Sequence, residues 1–103
     1  MTVKPTAPQK KTAQAPVMTP ERQKKLDYLC SALDQLLEDT SVPRNIRRGA
    51  ESAKKVLTDA SAALDVRKSS ATNILDDLAN DPNIPVHGRT MIYMIMSRLE
   101  QLS

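Results

Sequence analysis

One thiol and one imidazole are all this chain offers for nucleophilic chemistry, Cys30 and His87 being its only cysteine and only histidine. A Cys–His pair works when the imidazole and a positive surrounding favour the thiolate. Cys30 sits between Leu29 and Leu33 in a leucine ladder, where a lone cysteine acts as a small apolar residue. Packing is its expected role. Metal ligation has little more to draw on. A site needs several donors converging at coordination distance. Asp76, Asp77 and Asp81 are close in sequence, but they fall in the last turn of a helix and its exit. Gly49 and Gly88 are the only glycines and both lie within helical segments, so no glycine-rich loop is available to cradle a nucleotide. No catalytic residue, metal or cofactor is expected, and the chain is read as a protein that is not an enzyme.

Arginine chemistry is better represented. Arg44, Arg47 and Arg48 fall in the first turns of one helical segment, and His87 and Arg89 in the first turns of another. In an up-down bundle these two helix starts share one end. Free N–H groups and guanidinium forks both favour phosphate, so Arg44, Arg47, Arg48 and Arg89 form a candidate phosphate or nucleic-acid site. Glu38, Asp39, Asp76, Asp77 and Asp81 belong to the same end. Five acids there against four arginines and a histidine equally suggest mutual pairing, and both readings stand at this point.

The run Met91-Ile92-Tyr93-Met94-Ile95-Met96 is apolar on every side. A helix of a small bundle normally keeps one polar face. Either this helix is central and buried all round, or one side is a contact surface. Methionine suits adaptable interfaces because its side chain is flexible and polarizable. Met91, Tyr93, Met94 and Met96 are the candidate interface.

Helices must position all of these residues. The chain has 103 residues, room for one domain. It has no Phe, no Trp and two Tyr, whereas a β-sandwich would need aromatic and β-branched strands. Thr19-Pro20-Glu21 reads as a helix start, with a cap, a proline at the first turn and an acid at the positive dipole end. The face Leu26, Leu29, Leu33, Leu36 and Leu37 carries that helix to about Glu38. A second begins at Ser41-Val42-Pro43 with Ile46, Ala50, Ala53, Val56 and Leu57 inward. Ser61 is the expected cap of a third, with Leu64, Ala71, Ile74, Leu75 and Leu78 inward. Asn83-Ile84-Pro85 begins a fourth, with Val86, Ile92, Ile95, Leu99 and Leu102. A helical glycine costs about 1 kcal/mol against alanine, so close helix contact is expected at Gly49 and Gly88.

Residues 1–18 contain three prolines, three lysines (Lys4, Lys10 and Lys11), no acid and no apolar period. They are read as a disordered basic tail preceding a domain over 19–103. The chain carries 15 basic and 12 acidic residues; without the tail, 12 of each remain. No segment reaches the ~18 apolar residues of a membrane span, no apolar run resembles a signal peptide, and a single cysteine makes no internal disulfide. A cytoplasmic location is the simplest expectation.

The chain is weakly repetitive. Ile46-Arg47-Arg48, Val66-Arg67-Lys68 and Val86-His87 recur at intervals of 20, each preceded by an aspartate: Asp39, Asp59 and Asp81. Asp39-x-x-Val42-Pro43 and Asp81-x-x-Ile84-Pro85 match at an interval of 42. One helical pair used twice gives an all-α, four-helix bundle of two stacked antiparallel hairpins, HEAT-like in its spacing.

The runs Leu36-Leu37-Glu38-Asp39-Thr40-Ser41-Val42-Pro43-Arg44-Asn45-Ile46-Arg47-Arg48 and Ile74-Leu75-Asp76-Asp77-Leu78-Ala79-Asn80-Asp81-Pro82-Asn83-Ile84-Pro85 carry a resemblance, with Leu64-Asp65-Val66-Arg67 between them. Over roughly residues 21–102 the chain resembles a small archaeal family catalogued only as uncharacterised. The resemblance implies a compact helical bundle and an archaeal source, and implies no activity. The function expected from the residues is binding: an adaptor acting through protein–protein contacts or self-association by the fourth helix. The alternative is association with RNA or the ribosome through the four arginines and the tail lysines.

Overall fold

The computed structural model describes residues 18–102. The expected tail over 1–18 therefore lies, apart from Met18, outside the described residues. Four helices follow one another: α1 (Pro20–Glu38), α2 (Arg44–Leu57), α3 (Leu64–Ala79) and α4 (Val86–Glu100), with no strand among the described residues. Helices α1 and α2 form one antiparallel hairpin and α3 and α4 the other. α2 packs on α3, and α4 returns to pack on α1, closing a four-membered ring. Across the ring, α1 and α3 make no close backbone approach, nor do α2 and α4.

The helix starts follow local chemistry. Thr19 caps α1, its hydroxyl oxygen accepting from the Arg22 N–H at 3.1 Å, with Pro20 in the first turn. Pro43 and Pro85 occupy the cap positions of α2 and α4, with no side-chain capping bond. Ser61 does not cap α3. The cap position is Ala63, and Ser61 bonds Asp59 instead.

The core is aliphatic. Leu29, Leu33, Leu36, Ile46, Leu57, Leu75, Ile92, Ile95, Leu99 and Leu102 are fully buried, with Ala50, Ala53 and Ala71 where helices come close. Each large side chain so buried stabilises by roughly 2 kcal/mol. Leu37, Val56 and Ile74 are half-buried flanks of the same faces. Val86 departs from expectation: placed inward by its spacing, it is 77% exposed, because it occupies the first position of α4 at the bundle's end. Gly49 is a genuine close approach. A Cβ there would stand 2.8 Å from Leu78 Cδ1 and closer still to Cδ2. Gly88 is buried, and its tightest neighbour is Ile84 of its own turn, at 3.3 Å.

Candidate functional site

The three turns between helices are built alike. Asp39 Oδ1 accepts from the Ser41 N–H at 2.9 Å, Asp59 Oδ1 from Ser61 at 3.0 Å and Asp81 Oδ1 from Asn83 at 2.8 Å. The aspartate carbonyls accept from Val42, Ala62 and Ile84. Each turn also has an arginine eight positions after its aspartate, at 47, 67 and 89. Arg47 Nε donates to the Val42 carbonyl at 3.1 Å. Arg67 donates to the Ala62 and Leu57 carbonyls at 2.9 and 3.4 Å. Arg89 donates to Ala79 and Asp81 at 3.0 and 3.5 Å. Leu57 and Ala79 end α2 and α3, so their carbonyls lack the next helical donor and the arginines supply it.

This divides the expected arginine cluster. Arg47 and Arg89 are half-buried and turned onto their own backbone. Arg44 and Arg48 are exposed and make no hydrogen bond or ion pair with the described residues. The expected pairing with local acids is replaced by pairing with carbonyls. Two of the five acids at this end bind other partners: Asn45 Nδ2 donates to Asp81 Oδ2 at 2.7 Å, and His87 Nε2 lies 2.9 Å from Asp39 Oδ2. The Ser41 hydroxyl, the Ser41 N–H and His87 hold the Asp39 carboxyl below the usual carboxylate value. Ser61 does the same for Asp59 through its hydroxyl and N–H.

Ser41, His87 and Asp39 are mutually in contact, yet they do not make a nucleophilic triad. Both the serine oxygen (3.1 Å) and the aspartate oxygen meet the same ring nitrogen, Nε2, whereas a triad uses one nitrogen for each. Cys30 is elsewhere. It is half-buried, and burial pushes its thiol up, Lys54, Asp34 and Asp27 being the charged groups that act on it. Among the described residues no three His, Cys, Asp or Glu side chains cluster as metal ligands, and no helix is long and apolar enough to cross a membrane.

The fourth helix is not the buried centre of the bundle. Ile92, Ile95 and Leu99 face inward, while Tyr93 is 53% and Met94 36% exposed. Met91 and Met96 are half-buried against the core. Met94 leans toward α1, where its Sδ accepts from the Tyr28 hydroxyl at 3.9 Å. Four residues further along α4, the Arg98 guanidinium covers the Tyr28 ring at 4.6 Å from its centroid. Lys25 Nζ reaches the Gln101 carbonyl at 3.4 Å. Lys24, Lys25, Tyr28, Arg98 and Gln101 line an open groove of about 220 Å³ along this α1–α4 seam.

The model of the "Uncharacterised protein family (UPF0147)" matches residues 13–102. The chain belongs to this family. A UPF0147 protein of Thermoplasma volcanium is 46% identical over 71 residues, covering 69% of this chain and 80% of that one. One from Methanothermobacter thermautotrophicus is 47% identical over 70 residues, covering 68% and 69%. The crystal structure of a UPF0147 protein from Thermoplasma acidophilum superposes with a TM-score of 0.78 at 40% identity, covering 82% of this chain and all of the other. The archaeal family and helical bundle expected from the hallmark segments are thus found.

Within this UPF0147 chain, the expected interface residues are only partly together. Tyr93 and Met94 project on opposite shoulders of α4, with Thr90 and Ser97 between them, by the 3.6-residue period. Sequence reasoning missed Tyr28, Lys24, Lys25 and Arg98. The available signal was that Tyr28 falls outside the leucine ladder of α1, although tyrosine carries a large apolar ring.

Proposed function

We propose that this protein is a non-enzymatic binding protein of the cytoplasm that acts through protein–protein contacts on the α1–α4 side of the bundle. One observation carries the reading: the only aromatic residues, Tyr28 and Tyr93, are 44% and 53% exposed while the whole core is aliphatic. Aromatic rings are the largest apolar groups available for burial, and a tyrosine or arginine at the surface is the common anchor of a binding interface. Met94 and Arg98 extend the surface beside Tyr28. A second copy of the chain is one such partner.

Affinity capture with the tagged protein from its native extract, with and without nuclease, tests this. Wild-type protein retains its partners after nuclease, and a Tyr28→Ala/Tyr93→Ala variant with unchanged thermal unfolding loses them. Retention by the variant would refute the surface. Loss of all partners on nuclease treatment would favour RNA, with affinity falling steeply with salt and the exposed Arg44 and Arg48 as the residues to change.

A further inference from the structure

The α1–α4 groove has a chemistry of its own. Tyr28 is its one aromatic lining residue, with exposed Met94 adjoining through the tyrosine hydroxyl. It is also lined by Lys24, Lys25 and Arg98, and by no carboxylate among the described residues. None of the three cations pairs with a carboxylate among the described residues. Lys25 and Arg98 are steadied by a carbonyl and a ring, which fix their positions and leave their charge uncompensated.

We propose that this groove seats an acidic segment of a partner protein, with an apolar side chain on Tyr28 and Met94 and flanking carboxylates on Lys24, Lys25 and Arg98. The proposal rests on the protein-binding reading above and names its ligand. Charge complementarity sets the sign of the partner, and one apolar ring lined up with three cations sets the mix of apolar and acidic side chains. Single-stranded nucleic acid fits less well. It is held by aromatic faces offered to successive bases, and here one aromatic is present with Arg98 already over one face.

The test uses the full chain and a short fluorescent peptide of alternating Glu and Leu, followed by anisotropy at low salt. A Gln-for-Glu peptide and an oligouridylate of equal charge are the comparisons. The acidic peptide binds, the Gln peptide binds on the order of tenfold more weakly, and Lys24→Glu/Lys25→Glu reduces acidic-peptide affinity by at least on the order of tenfold. Lys24→Ala, which disturbs no side-chain bond among the described residues, shifts it in the same direction. Equal affinity for both peptides, tighter binding of the oligouridylate, or indifference to the lysine changes would overturn the proposal. Partner capture that needs Tyr93 but not Lys24 and Lys25 would sink this groove while leaving protein binding intact. Capture abolished by nuclease would sink the parent reading itself.

Discussion

Asn45 and His87 stand 42 positions apart and perform the same exchange in opposite directions. Asn45, in the first turn of α2, donates to Asp81 in the turn before α4; His87, in the first turn of α4, meets Asp39 in the turn before α2. The two aspartates are themselves 42 apart. Each hairpin thus reaches across to the turn of the other from equivalent positions, a pseudo-two-fold relation. The end of the bundle where α2 and α4 begin is tied by this pair of polar contacts and plugged by buried Val42 and Ile84.

The turn arginines separate structural from free positive charge. Arg67→Ala strips donors from two backbone carbonyls and lowers stability by about 1–2 kcal/mol, with Arg47→Ala and Arg89→Ala close behind. Arg44→Ala and Arg48→Ala change it by less than about 0.5 kcal/mol. Urea midpoints of the five variants check this, and equal effects throughout would refute the division.

At Gly49 the helix tolerates its least favourable ordinary residue because Leu78 occupies the space of a side chain. Gly49→Ala gains about 1 kcal/mol of helix propensity but displaces Leu78, for a net loss of about 1 kcal/mol from overpacking. In a Leu78→Ala background the same change becomes neutral or stabilising. A double-mutant cycle of denaturation midpoints measures the coupling.

Acid weakens the turns through two carboxyls. Asp39 and Asp59 are held below the ordinary value of 3.8. A depressed carboxyl contributes stability above its unfolded value and loses it as pH falls through the folded one. The contribution of these two carboxyls is therefore fully present above about pH 5 and is lost as pH falls below about pH 4. Asp39→Asn/Asp59→Asn is less stable at neutral pH and declines less steeply, as denaturation at a series of pH values would show.

The helices were legible because their signals are local. Prolines at 20, 43 and 85 stand at helix starts, and the leucine ladder of α1 reads directly as its buried face. The Asp39–Asp81 interval was readable for the same reason. Arg89 was not recognised as the partner of Arg47 and Arg67, because matching at 20 aligned Val86-His87 with Val66-Arg67. Helix α3 is two residues longer than α2, so the third turn follows the second at 22 rather than 20 positions, while the spacing of eight from aspartate to arginine is kept. The division of Met91, Tyr93, Met94 and Met96 between core and surface depends on which neighbours α4 meets. The Tyr28 groove joins residues more than sixty positions apart, which no local pattern encodes.

The closed ring of helices also bears on chain order. Because α4 lies against α1, with Lys25 reaching Gln101, the first and last helices are neighbours in the ring although no turn joins them. The turn at Asp59–Ser61 is then interchangeable with a short linker from Gln101 to Thr19. A circularly permuted chain opened there would string the hairpins in reverse and keep every helix on the same two neighbours, so the architecture is indifferent to where along its circumference the polypeptide starts.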